Sequence, residues 1–313
     1  MDEFISIKDL EKGTPSKTQS LVHDGAEGTK RIEFAELLST ALGLTDITEA
    51  GFHNSIYRGA NLKERFGISD DKALADEVSR RIANGSFEDL YVGDYWPATI
   101  TTEFGTETVE IVLAGFDIYM GSIYEYRRAD DDYDPINRHH AVCVTKKQFA
   151  KNHRMHPTTP IPSDGYRATE MYTTTMPKYA TAMQTALNGH IIEICDTYAY
   201  DIDNSLASAS APNLSGATTS WDYDTSYPSL LNPLTEREVY GAPAFSCSAY
   251  EVGFETSQLP LFRLNPASKI TGMWYWLKDT ASAHSFCYVS NDGRASYYYA
   301  SYTYGVRPRF LIG

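Results

Sequence analysis

Asp222, Asp224, Glu236 and Glu238 lie close together in the sequence. A glycosidase needs two carboxylates on opposite sides of a sugar bond, and nothing in the sequence sets any two of these across a cleft. His139 adjoins His140, and His153 lies near His156, but the zinc-protease pattern H-E-x-x-H does not occur, so these histidines read as loop or core residues. G-x-S-x-G is absent as well, which removes the nucleophile elbow of a serine hydrolase. Cys143, Cys195, Cys247 and Cys287 are far apart, with no C-x-x-C and no His/Cys cluster, so they read as buried thiols rather than zinc ligands; their spacing says nothing about pairing. The acidic run Asp130-Asp131-Asp132-Tyr133-Asp134-Pro135 lacks the spaced oxygens and central glycine of a calcium loop and reads as a solvated loop. Ser290-Asn291-Asp292 is too slight to hold calcium. No catalytic residue, metal or cofactor is expected.

The chemistry that the chain does carry in quantity is adhesive. Tyrosine supplies 23 of the 313 residues, and Tyr297, Tyr298, Tyr299, Tyr302 and Tyr304 crowd into the stretch SYYYASYTY. A tyrosine offers a large apolar face and a polar tip with few rotors to freeze, which suits contact surfaces. The segment GVRPRFLIG follows. Arg307-Pro308 is a fixed backbone step, Arg307 is expected to pair with a buried acid, and Phe310, Leu311 and Ile312 form a last short strand. Upstream, Trp274 and Trp276 alternate with Tyr275, so both indoles share one strand face and read as core; Lys278-Asp279 is expected to end that strand. If residues 297–299 are a strand, Tyr297 and Tyr299 share one face and Tyr298 takes the other.

Such a surface needs a scaffold. Residues 1–50 read as a separate N-terminal unit, with Leu21–Gly25 as a strand entering a turn and Ile32–Leu42 as a helix. Residues 51–90 read as a helical connector with a charged stretch from Lys63 to Arg81, in which Ala73, Val78 and Ile82 give a weakly amphipathic helix stopped by Asn84-Gly85. Residues 91–313 read as the large domain. Strands are expected within Glu107–Leu113 and Ala141–Thr145, a helix over Pro177–Leu187 ended by Asn188-Gly189, and a long surface loop over Ser205–Ser220. Thr235 and Glu238 form a capping box at the head of a short helix. The fold class is α+β, with short, mostly antiparallel strands and a few helices.

The formal charge of −14 repels phosphate backbones and anionic membrane surfaces, which argues against nucleic acid as a partner. No stretch is long and apolar enough to insert in a bilayer, and no secretory leader opens the sequence, so synthesis and folding in a cytoplasm are expected.

Two resemblances add to this reading. Lys8-Asp9-Leu10, the string SLVHDG from Ser20 and the string GTKRIEFAELL from Gly28 resemble the short N-terminal unit of bacteriophage fibre and head- or tail-appendage proteins. That resemblance implies attachment to other virion proteins or oligomer formation. From about Gly51 to Gly313, the strings HNSIYRGANL, FEDLYVGDYW, AGFDIYM, LTEREVYG, SQLPLFRLNP, WYWLKD and YGVRPRFLIG occur in order. Together they resemble phage structural proteins, also found in prophages of gut Firmicutes, whose C-terminal half has the C-type-lectin-like (formylglycine-generating-enzyme-like) fold and often carries W-L-R-[DS] before a terminal G-V-R-P. Members of this fold bind proteins, bind sugars or catalyse, so the resemblance leaves the ligand open. The cysteine pair of the formylglycine-generating relatives has no matching motif around Cys247 or Cys287, and the calcium signatures of sugar-binding lectins are missing.

Between Thr280 and Gly313 there is no Lys, Glu, Gln, Met or Trp. The residue types that remain are those reached by changing only the adenines of AAC or AAT codons. This resembles the variable region of a diversity-generating retroelement target, although an ordinary Tyr/Ser-rich binding loop has the same composition. The resulting expectation is a homotrimeric virion appendage protein that binds a host-surface protein or glycan. The residues expected to make contact are Ala283, His284, Ser285, Phe286, Tyr288, Ser290, Asn291, Tyr297, Tyr299, Ser301, Tyr302 and Tyr304. Trp274, Trp276, Arg307 and Pro308 are expected to be structural. The alternatives are a purely structural capsid decoration, head-fibre or tail protein whose tyrosines seal a subunit interface, and an enzyme acting on glycans.

Overall fold

The computed structural model describes residues 21–25, 28–32, 49–121, 124–127, 132–196, 228–246 and 258–313. The chain divides into two compact units, Met1–Thr48 and Glu49–Gly313. In the first, β1 (Leu21–Gly25) and β2 (Gly28–Ile32) form an antiparallel hairpin in which Gly25 faces Gly28 across a two-residue connection. Ile32 is therefore strand rather than the start of a helix; the remainder of the expected helix lies outside the described residues.

The second unit opens with three helices, α1 (Glu49–His53), α2 (Leu62–Phe66) and α3 (Asp71–Ala83). Asp70 caps α3 by accepting the Ala73 N–H at 2.8 Å, and the left-handed Gly85 (φ 73°) comes just after the helix. Leu74, Ala75, Val78 and Ile82, on one face, are fully buried. Together with Leu62, Phe87 and Leu90 they join the same hydrophobic core as the rest of the unit, so residues 51–90 are not set apart from the large domain.

Next come β3 (Tyr95–Thr102), β4 (Gly105–Phe116), β5 (Tyr124–Arg127), β6 (Asp132–Pro135), β7 (Ala141–Thr145) and β8 (His153–Arg154). The acidic stretch expected as a loop thus contributes a strand from Asp132, paired antiparallel with β5. Helix α4 (Met176–Ala186) is stopped by Asn188 and Gly189, both at positive φ. After it come β9 (Ile191–Ile192), β10 (Ile194–Cys195), β11 (Pro228–Ser229) and β12 (Asn232–Pro233). Helix α5 (Glu236–Tyr240) has the expected capping box between Thr235 and Glu238, and α6 (Pro260–Leu264) succeeds it. The chain closes with β13 (Tyr275–Ser282), β14 (Ser285–Val289), β15 (Ala295–Tyr299), β16 (Thr303–Tyr304) and β17 (Pro308–Ile312).

Among the described residues every strand ladder is antiparallel. The largest sheet has the order β12-β17-β7-β4-β3, with β9 also on β17. Its inner strands read Ala-Val-Cys-Val-Thr in β7 and Pro-Arg-Phe-Leu-Ile in β17, and every residue of both is buried. The free edge of this sheet is closed to further pairing. Tyr95 gives its outward N–H to the Ala60 carbonyl (2.9 Å), Pro97 has no N–H, and the Thr99 N–H is bound by the Asp71 carboxylate (3.0 Å). A second, three-stranded sheet, β13-β14-β15, carries the tyrosine-rich segment.

Lys278 and Asp279 do not end β13 but lie inside it, 3% and 1% exposed. Lys278 Nζ is 2.6 Å from Asp196, which Arg309 also contacts, and Arg309 Nε is 3.1 Å from Glu238. Tyr119 donates its hydroxyl to the same Glu238 carboxylate. A paired charge can stay ionised in a buried site, and the two carboxylates hold the Arg309 guanidinium well above its ordinary pKa despite burial. The acid-pairing arginine is thus Arg309. Arg307 instead donates to the carbonyls of Thr145 (2.7 Å) and Ser268 (2.8 Å) and to the Tyr275 hydroxyl (3.2 Å), with its guanidinium 5.3 Å from the Phe262 and Tyr275 rings. It joins three segments at once, so its structural role stands with different partners from the one expected.

Candidate binding surface

The sheet β13-β14-β15 fixes where each tyrosine points. Trp276 pairs with Tyr288, Tyr288 with Ser296, and Phe286 with Tyr298, so these side chains share one face. The Tyr304 ring lies at the middle of that face: 4.6 Å from Trp276, 4.9 Å from Tyr288, 5.2 Å from Trp274 and 6.2 Å from Tyr298. Tyr302 stands edge-on to Tyr298 at 4.3 Å. Six rings therefore form one continuous platform. Its floor is Trp276, fully buried, and Tyr304, 7% exposed, whose phenol is pushed up to about 12 by burial. Its upper surface is Trp274 (45% exposed), Tyr298 (38%) and Tyr302 (49%).

Hydrogen bonds immobilise the platform. The Trp276 indole donates to the His153 carbonyl at 2.8 Å, and β16 pairs with β8 through Tyr304 and His153. The Trp274 indole donates to Asn291 Oδ1 at 3.2 Å, which leaves its apolar ring face as the part turned outward. Gly305 lets these segments approach. Its N–H binds the Trp274 carbonyl (2.9 Å), its carbonyl accepts the Trp276 N–H (3.0 Å), and a Cβ there would lie 2.5 Å from Gln148 Cγ.

The other face of the strand carries a smaller group. Tyr297 is 39% and Tyr299 52% exposed, and Phe245 lies 5.4 Å from Tyr297. Phe245 is held there by Glu236, which accepts the N–H groups of Ala244 (2.8 Å), Phe245 (3.0 Å) and Ser246 (2.8 Å) from a fully buried position. Asp279 accepts the Glu236 N–H at 2.8 Å; burial, together with the neighbouring Glu236 charge, pushes its carboxyl well above the ordinary range.

Several of the residues expected to make contact are out of a ligand's reach. Ala283 and Phe286 are fully buried and Ser285 is 4% exposed, because β14 is the middle strand of its sheet and the segment before Ile161 covers its start, the Ala283 carbonyl accepting the Ile161 N–H at 2.9 Å. Ser290 serves its own turn, its hydroxyl accepting the Arg294 N–H at 2.9 Å. His284, Tyr288 and Ser301 are half-buried, Asn291 is exposed, and Tyr304 shows only an edge. Trp276 and Pro308 are buried as expected of structural residues, whereas Trp274, expected in the core, is exposed: it precedes β13 at the rim. Tyr298 is not among the residues expected to make contact, since alternation sets it opposite Tyr297 and Tyr299; in an edge strand both faces reach solvent.

Among the described residues, those considered for catalysis are not brought together in a cleft. Glu236 and Glu238 are buried and bound to backbone amides, Tyr119 and Arg309, while Asp222, Asp224 and Cys247 lie outside the described residues. His153 is held by Phe104 (4.6 Å) and the Tyr179 hydroxyl (3.0 Å), and His140 is fully buried. A separate polar groove of about 800 Å³ lies between α3, β3 and α4, and several of its charges are already engaged: Lys178 with Glu103 at 2.5 Å, Asp71 with Lys63 and the Thr99 N–H, Asp70 with the Ala73 N–H. Among the described residues no three His, Cys, Asp or Glu side chains gather to hold a metal ion, and no helix is long and apolar enough to cross a membrane. Comparison with protein-family models, with curated proteins and with solved structures finds no match for this chain.

Proposed function

We propose that this chain is a phage virion appendage protein whose C-terminal, C-type-lectin-like domain binds a host-surface protein or glycan. The observation that carries the reading is the platform of Trp274, Tyr298 and Tyr302, three exposed aromatic rings above a locked floor. An exposed apolar patch rimmed by polar groups marks a contact surface, and rigid aromatic side chains contribute contact area at small entropic cost. The first unit, Met1–Thr48, attaches the protein to other virion proteins, and the assembly is a homotrimer on the virion. The composition of residues 280–313 fits diversification of this face by a retroelement. The gene supports that if it has a nearby near-identical template repeat and a reverse-transcriptase gene, and rules it out if both are absent.

The test uses the full chain, fluorescently labelled, on a panel of gut Firmicutes isolates. Wild type is expected to bind at least one isolate, and the triple substitution Trp274→Ala, Tyr298→Ala and Tyr302→Ala to lose at least nine-tenths of that binding while melting like wild type. Undiminished binding by the folded triple variant contradicts the proposal. The same exposed rings also fit a subunit interface, the purely structural alternative. That reading gains if no isolate binds and the triple variant falls apart into monomers.

A further inference from the structure

The platform sits beside an unpaired sheet edge, and the two together specify how a ligand lies on it. Ala300 N–H donates to the His284 carbonyl (3.0 Å) and Ser290 N–H to the Arg294 carbonyl (2.8 Å). The alternation of an antiparallel ladder therefore turns the even-numbered residues of β15 toward β14 and the N–H and C=O groups of Ala295 and Tyr297 outward. Among the described residues strand β15 is the last in its sheet, and no group there is bonded to those outward amides. The edge strand β3 is different, being stopped by Ala60, Pro97 and Asp71. Nothing of that kind stops β15: no proline, no inward charge and no covering segment among the described residues.

Rings stand on both faces of this bare strand, Tyr298 and Tyr302 on one, Tyr297, Tyr299 and Phe245 on the other. A sugar chain stacked on a platform uses one face. An added strand sends alternate side chains to both faces of the sheet it extends. Charge narrows the occupant further. Residues 295–304 carry no charge in a chain of formal charge −14, and the flanking ions are paired locally, Asp292 with Arg294 at 3.0 Å and Glu170 with Arg154 at 2.7 Å. Among the described residues the carboxylates flanking this strand are thus already paired, so a charged side chain laid there would have its desolvation uncompensated.

We infer that the ligand is an extended, uncharged peptide segment of a partner protein, added as a fourth strand along β15. Its main chain bonds to Ala295 and Tyr297, and its alternate side chains lie against the two aromatic groups. This rests on the proposed binding role of the same surface.

The probe is a library of random linear dodecapeptides selected on the immobilised full chain. Uncharged peptides with alternating aliphatic or aromatic residues are expected to enrich. Their affinity should fall at least ten-fold for Ala295→Pro, which removes one outward N–H, no ring and no bond of the β14–β15 ladder. Should that variant misfold, methylating alternate backbone amides of the enriched peptide gives the same reading. One register should abolish binding, and the register shifted by one residue should spare it. Unchanged affinity for folded Ala295→Pro, equal effects of the two methylation registers, or enrichment of neutral glycans from an array without any linear peptide each overturn the inference. So does a wild-type dimer that Ala295→Pro splits, which gives the edge to a second copy. Host-cell binding that fails in the ring variants but survives Ala295→Pro refutes strand addition while leaving the binding function in place.

Discussion

Strands β15 and β17 are separated by eight residues and obey opposite rules. Every residue of β17 is buried between two other strands, and its Arg309 is bound to Asp196 and Glu238. In β15 no residue is fully buried, and three successive tyrosines reach solvent. The short segment Ala300–Arg307 separates them, with Tyr304 and Gly305 bonded to β8 and to the Trp274–Trp276 region. The difference teaches that one run of sequence can hold a fully packed strand and an exposed aromatic one, provided the junction between them is rigid. Under the proposed function, side-chain identity in β15 answers to a ligand, and in β17 to the fold.

The sharpest break of this comparison is on the clasp side. Asp196→Ala leaves Lys278 and Arg309 buried without that acid and should cost about 3–5 kcal/mol, read as a lowered denaturation midpoint or failure to fold. Asp279→Asn is expected to be far milder, since burial and the Glu236 charge already push the native carboxyl well above its ordinary range and so disfavour its charged form. At the junction, Gly305→Ala drives a methyl group against Gln148 and the Trp274 carbonyl and should cost about 1–3 kcal/mol, with ligand binding falling in step because Trp274 moves.

Acid attacks the same junction. Burial, with the nearby Lys151 charge, pushes His153 down to about 4, so the folded protein holds it neutral while the unfolded chain binds its proton near the ordinary 6.5. Protonation therefore favours unfolding. The contribution of His153 is whole above about pH 6.5, declines toward about pH 4 and is flat below. Melting curves between pH 7.5 and 4.5 should show a smaller acid-induced drop for His153→Asn than for wild type; His53, His140 and His156, also lowered by burial, leave a remainder of the same sign. On the surface side the effect should be smallest: Tyr297→Ser and Tyr299→Ser are each expected to change stability by no more than about 0.5 kcal/mol.

Local features were legible in the sequence. The Thr235–Glu238 capping box, the stop at Asn188-Gly189 and the strands through Glu107–Leu113 and Ala141–Thr145 are written in adjacent residues. Features that depend on distant partners were not. Lys278-Asp279 reads as a strand end until Asp196, far away in sequence, supplies the counter-charge. Arg307 announces a buried role but not that its partners are carbonyls, and its neighbour Arg309 takes the acids instead. In the candidate site, alternation gives the correct faces of β15 without showing that it is an edge, which is why Tyr298 is missing from the expected contacts. Trp274 and Trp276 share a side, yet only Trp276 lies under other elements.

The central claim is that the tyrosines of β15 and its flank serve contact and not folding. The most direct test replaces Tyr297, Tyr298, Tyr299 and Tyr302 together by Ser and reads thermal unfolding and binding to a responsive isolate on the same sample. The account predicts a cooperative transition within a few degrees of wild type and loss of at least nine-tenths of cell binding. Collapse of the transition, or binding that survives intact in the folded variant, would contradict it.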